Sequence, residues 1–176
     1  GIVTNRGECK LLIRADGCKS MGMGHLSRAS LIASVFRGRG YDVKLVVKED
    51  NDARRFLDSR QISPVYIAAD TTLSVEFDLI EDLFTETRGV LILDSLCHRD
   101  YANLFGRLRA KLCTTAVIFD DDDVECINAD IALNGSLIPL PNNYAKCVCQ
   151  YLIGPDYFIM DPSYRDVVVS PPKDTI

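Results

Sequence analysis

Residues 10–48 read KLLIRADGCKSMGMGHLSRASLIASVFRGRGYDVKLVVK. Lys10–Asp16 is a short apolar run ending in polar residues, the pattern of a buried strand. The loop GCKSMGMG at 17–24 follows. From His25 onward, Leu26, Ala29, Ile32, Ala33 and Phe36 recur at helical spacing, while Ser27, Arg28, Ser34 and Arg37 take the other side. Gly38 and Gly40 provide a stop. Asp42–Lys48 is rich in β-branched residues between polar flanks and reads as a second strand. Strand, glycine loop, helix, glycine and strand make one βαβ unit, which implies a right-handed parallel crossover.

The same alternation continues outward. Ala53–Arg60 reads as helix, Pro64–Ala68 as a short strand and Ser74–Thr87 as an amphipathic helix. Gly89–Asp94, GVLILD, is the clearest buried strand; Tyr101–Leu112 is helix and Thr115–Asp120 another buried strand. Asp130–Asn134 reads as a short, edge-like strand. The pattern predicts an α/β fold with a Rossmann-like, doubly wound, mostly parallel sheet over 11–166. Residues 1–10 form an N-terminal extension. The tail VVVSPPKDTI at 167–176, broken by its proline pair, reads as a linker.

Composition fits one such domain. The chain has 176 residues, of which 47% are hydrophobic, enough to fill a core. A net charge of -5 argues against a nucleic-acid partner, which would need a basic face. No run reaches the ~18 apolar residues of a membrane span. The first ten residues lack the apolar region of a signal peptide, so a cytoplasmic location is expected. Seven cysteines at 9, 18, 97, 113, 126, 147 and 149 include no C-x2-C pair, and most sit in apolar stretches. They read as buried free thiols rather than disulfides or a zinc site.

In open α/β sheets, ligands bind outside the carboxyl ends of the strands. That rule selects Arg14, Asp16, Gly17, Gly22, Gly24, His25, Asp94, Ser95, Asp120 and Asn134 as candidate site residues. Glycines in the first loop permit a tight turn and close backbone approach. The helix start beyond them offers unpaired N–H groups and partial positive charge, suited to phosphate or an oxyanion. A P-loop is excluded, because Met23 and Gly24 stand where Lys and Ser/Thr are needed. A dinucleotide fingerprint is incomplete: Ser27 replaces the third glycine, although Glu49 follows the second strand as a ribose-binding acid would. The helix N-terminus is expected to keep His25 neutral near pH 7 and able to accept a proton. His98 lacks that setting and reads as a surface residue. The run Asp120–Asp123 invites Mg2+ or Mn2+, but substrate hydrogen bonding or turn formation is preferred, with no metal or other cofactor expected.

RADG at 14–17, MGMGH at 21–25 with Ser27 and Arg28, LILDS at 91–95, FDD at 119–121 and ADIALN at 129–134 occur in that order. Together they resemble the nucleotide-sugar hydrolases of pseudaminic acid biosynthesis, and a spore-coat polysaccharide family with the same motifs. The resemblance spans about residues 11–166. It implies the N-terminal half of a glycosyltransferase-B-like fold, with the active site in a cleft between two domains. It further implies water attack at the anomeric carbon of a UDP-sugar, with His25 as the catalytic residue. Arg14, Asp16 and Asp94 become candidate sugar contacts, and a C-terminal domain beyond this chain would hold most of the UDP. Leu96 departs from the pattern, standing where an aromatic follows the DS pair. A glycosyltransferase, or a non-catalytic sugar-binding domain of a polysaccharide-synthesis protein, fits the same motifs.

Overall fold

A computed structural model describes residues 9–84, 88–120, 128–136 and 150–164. Seven strands form one sheet: β1 Lys10–Ala15, β2 Asp42–Lys48, β3 Val65–Ile67, β4 Gly89–Asp94, β5 Thr114–Ile118, β6 Ile131–Asn134 and β7 Gln150–Ile153. Their order is β3-β2-β1-β4-β5-β6-β7, and every pairing is parallel. Four helices accompany them: α1 Gly24–Gly38, α2 Asn51–Ser59, α3 Leu73–Leu83 and α4 Ala102–Ala110. The Rossmann-like, doubly wound fold expected from the sequence is therefore present.

Period-two alternation sorts each strand between two cores. Leu11, Ile13, Leu45 and Val47 face α1 and α2, packing on Leu26, Ala29, Ala33, Ala53 and Leu57. Leu12, Val46, Leu91, Leu93 and Val117 face α3 and α4, packing on Phe77, Ile80, Leu104, Phe105 and Leu108. Burial on both faces explains why these strands read as nearly continuous apolar runs. The chain winds from β1 toward β3 with helices on one face, then from β4 outward with helices on the other. The reversal falls between β1 and β4, whose register pairs Ala15 with Asp94. A crevice opens there at the carboxyl ends, which is where such sheets bind ligands.

Several boundaries and one placement differ from the sequence reading. β1 begins at Lys10, as its apolar run predicts, and ends one residue early at Ala15, so the 11–166 domain bound starts a residue late. β6 is not an edge strand, because β7 pairs beside it from Gln150↔Ile131 to Ile153↔Asn134. QYLI, the β7 sequence, carries no decisive period of its own, four residues being too few. Helix α4 is preceded by a 3-10 turn, His98–Tyr101, and starts a residue late. Residues 85–87 at the end of the Ser74–Thr87 helix, residues 1–8 of the extension and the 167–176 linker lie outside the described residues. So do Asp121–Asp123 and Cys126, Cys147 and Cys149. Of the other cysteines, all free, only Cys113 is buried; Cys9 and Cys18 are half-buried and Cys97 is exposed, against the buried-thiol reading. Among the described residues no helix is long and apolar enough to cross a membrane.

Gly135, just past β6, decides how the chain returns over this edge. A Cβ there would come within 2.6 Å of the Phe158 Cα and 2.9 Å of its backbone nitrogen. Backbone cannot swing aside as a side-chain tip can. Gly135→Ala is therefore expected to cost about 1–3 kcal/mol, which lowers the thermal midpoint by roughly 2–12 °C in a chain this size. A midpoint unchanged in calorimetry would show that the 157–158 segment yields freely.

Candidate functional site

The first loop folds back on itself before α1. Gly22 takes φ +86, which favours glycine, and its N–H donates to the Cys18 carbonyl at 2.8 Å. Gly17 is buried against α1, where a Cβ would meet the Leu26 Cβ at 2.9 Å. Helix α1 then begins at Gly24 with no side-chain cap and no acidic residue in its first turn. Its opening N–H groups remain available to a ligand.

His25 and Arg28 lie three residues apart in α1 and so share a helix face. That face meets Asp94 at the end of β4 and Asp120 just after β5. His25 Nδ1 lies 2.7 Å from Asp94 Oδ1. Arg28 donates through Nε to Asp94 Oδ2 at 2.7 Å and through Nη2 to Asp94 Oδ1 at 2.6 Å. Its outer edge donates to Asp120, Nη1 to Oδ1 at 2.5 Å and Nη2 to Oδ2 at 2.8 Å. Asp94 is fully buried, whereas Asp120 is half exposed.

Charge follows from this geometry. The bond to Asp94 holds the His25 imidazole above its ordinary range, against the effect of its burial and with Asp120 assisting. The shift runs opposite to the one expected from the helix N-terminus, because a carboxylate at hydrogen-bond distance outweighs a diffuse helix dipole. Arg28 in turn holds Asp120 below the usual carboxylate range. With Asp94 accepting from Nδ1–H, the neutral ring carries its basic lone pair on Nε2. His25, Asp94 and Asp120 place ligand atoms within 4.8 Å of one another, a spacing compatible with a metal ion. The cation those carboxylates face is the Arg28 guanidinium.

A cleft of about 760 Å3 adjoins this cluster. Gly24, Ser27, Arg28 and Asp120 line one part, Asn134 and Ser136 another, and Tyr157 and Phe158 close a wall. His25 is not a lining residue, but both Arg28 and Asp120, which contact it, are. Polar donors beside exposed aromatic rings form a surface suited to a hydroxylated, partly apolar ligand.

The predicted residues separate into two groups. Gly22, Gly24, His25, Asp94, Asp120 and Asn134 gather at the crevice or its adjoining cleft. Arg14 does not: it is 1% exposed and faces the α3 side, donating to Glu76 Oε1 at 2.6 Å and to both Asp16 oxygens at 2.6 and 2.8 Å. Asp16 also accepts from the Lys48 backbone N–H at 2.8 Å. Two of the three predicted sugar contacts, Arg14 and Asp16, are therefore engaged in tying β1 to β2 and α3, whereas the third, Asp94, lies at the crevice. Ser95 accepts from the Cys97 N–H at 3.2 Å and shapes its own turn. Asn134 is buried, its Oδ1 accepting from the Ser136 N–H. His98, read as a surface residue, is buried instead, edge-on to Phe119 with ring centroids 4.7 Å apart. The 3-10 turn lays it there.

Arg28 is the residue that the sequence reading passed over, placing it on the polar face of the helix. Its i+3 spacing from His25 was the available signal. No family model, curated protein or solved structure matches the chain.

Proposed function

We propose that this chain is the N-terminal half of a UDP-sugar hydrolase of glycosyltransferase-B-like architecture, acting in the cytoplasm in nonulosonic-acid or surface-polysaccharide biosynthesis. The observation that carries the reading is the His25 Nδ1–Asp94 contact at the sheet's crevice, supported by the order of motifs shared with the pseudaminic acid hydrolases. A histidine fixed through Nδ1 presents Nε2 as a base.

In the proposed reaction, a water oxygen attacks the anomeric carbon on the face opposite UDP. Its proton passes to His25 Nε2, the bond from the anomeric carbon to the diphosphate oxygen breaks, and UDP leaves with the electron pair. The sugar is released with inverted configuration, and His25 returns its proton to solvent. The N–H groups at the start of α1, which no side chain caps, suit phosphate or sugar oxygens. Asp120 and the Tyr157–Phe158 wall suit the sugar's hydroxyl and methyl groups. A C-terminal half facing this edge would supply most contacts to UDP, so the 176-residue chain alone should be nearly inactive.

Chromatography of UDP-2,4-diacetamido-2,4,6-trideoxy-β-L-altropyranose incubated with the full-length protein tests the reading. Free sugar and UDP in equal amounts are expected. Sugar recovered only on an acceptor would make the protein a transferase, and no turnover would remove the assignment.

A further inference from the structure

We propose that Arg28 is a positioning residue: it supplies the permanent counter-charge to Asp94, so that Asp94 can hold His25 by Nδ1 while His25 stays free to take up and release a proton. The inference rests on reading His25 as a base, and it names what makes that role compatible with a buried carboxylate.

Asp94 is fully buried. A carboxylate in that position is strongly destabilising without a cation beside it. Two groups offer one, His25 and Arg28. Were His25 alone in that place, the fold itself would favour imidazolium, and a base that cannot lose its proton is no base. Arg28 is charged at every working pH and holds both Asp94 oxygens with a planar fork. Its remaining edge is fixed by the two bonds to Asp120, so the fork is held from both ends. Among the described residues, the charged groups around His25 are Asp94 at the end of β4, Asp120 after β5 and Arg28 in its own helix. Arg28 Nη2 lies 3.4 Å from His25 Nδ1, close enough to oppose protonation directly as well. Lysine would keep the charge but lose the fork.

The chain has two histidines, so imidazole resonances followed by NMR against pH report His25 without substrate, and His98, packed on Phe119, reports the fold. In Arg28→Met the His25 midpoint is expected to move upward, the proton being held about tenfold more tightly. The acid limb of the kcat profile should follow it. Placed in an Asp94→Asn background, the same substitution should move the midpoint far less, because Arg28 acts through Asp94. An unmoved His25 midpoint in Arg28→Met, with His98 native, overturns the proposal; so does an equal displacement in both backgrounds. If the Met variant loses its native His98 signals, Arg28→Lys replaces it, with a smaller upward displacement expected and an unmoved midpoint again overturning the proposal. Inactivity of the wild-type protein toward UDP-sugars would count against the hydrolase reading and leave these titrations to decide the role of Arg28.

Discussion

Replacing His25 with alanine should lower kcat for UDP release by about 10^2- to 10^4-fold, the span that a positioned general base contributes. KM should change little, because in the proposed reaction the imidazole serves the attacking water rather than the nucleotide. The fold should survive, since His25 occupies the first turn of α1, is only partly buried and leaves Asp94 with both Arg28 bonds in place. Asp94→Asn should behave differently. It keeps the shape but removes the negative charge and turns one of the two accepting oxygens into an NH2 donor, which must then face either Arg28 Nε or the His25 and Arg28 N–H groups on the other oxygen. A loss in kcat comparable to that of His25→Ala is expected, with a lower His25 midpoint, because the Asp94 carboxylate is the main cause of its elevation. Steady-state kinetics of both variants beside their thermal midpoints separate lost chemistry from lost folding. Full turnover in His25→Ala would end its assignment as the base.

The largest expected effect on stability lies on the other face of the sheet. Glu76 of α3 is fully buried, its Oε1 accepting from Arg14 Nε at 2.6 Å and from the Tyr101 hydroxyl at 2.5 Å. Burial, with this bond, pushes the Tyr101 phenol above its ordinary range. Arg14→Met removes the cation bonded to Glu76 and should cost about 3–5 kcal/mol, the usual consequence of stranding one member of a buried pair. The thermal midpoint should fall by roughly 6–20 °C. Arg14→Met with Glu76→Leu should recover much of that loss, since an apolar pair of similar volume carries no desolvated charge. Calorimetry of the two variants is the check. A single variant as stable as the parent but with a raised KM would return Arg14 to the substrate.

The contrast between these two clusters shows what the sequence could and could not reveal. β1 and β2 were legible as short apolar or β-branched runs between polar flanks, α1 by apolar residues at helical spacing after a glycine loop, and GVLILD because four consecutive apolar residues must be buried on both sheet faces. Gly22 and His25 were legible because a loop between a strand and a helix has one place to go in a doubly wound sheet. Arg14 was not, because an arginine at the end of a buried strand looks the same in sequence whether it points into a crevice or into a core. Only Glu76, 62 residues away, decides between them, and tertiary pairing at that distance leaves no local mark. The same limit hid His98 beneath its 3-10 turn. Arg28 became prominent only once Asp94 and Asp120 were brought to one helix face by β4 and β5.

Oxygen labelling distinguishes water attack at the anomeric carbon from attack at phosphorus. The full-length protein is incubated with the UDP-sugar in H2(18)O, and both products are weighed by mass spectrometry. Cleavage of the carbon–oxygen bond predicts the label in the released sugar and none in UDP, with the signal lost in His25→Ala. Label in the UDP phosphate would mean that water attacks phosphorus instead, and would contradict the account.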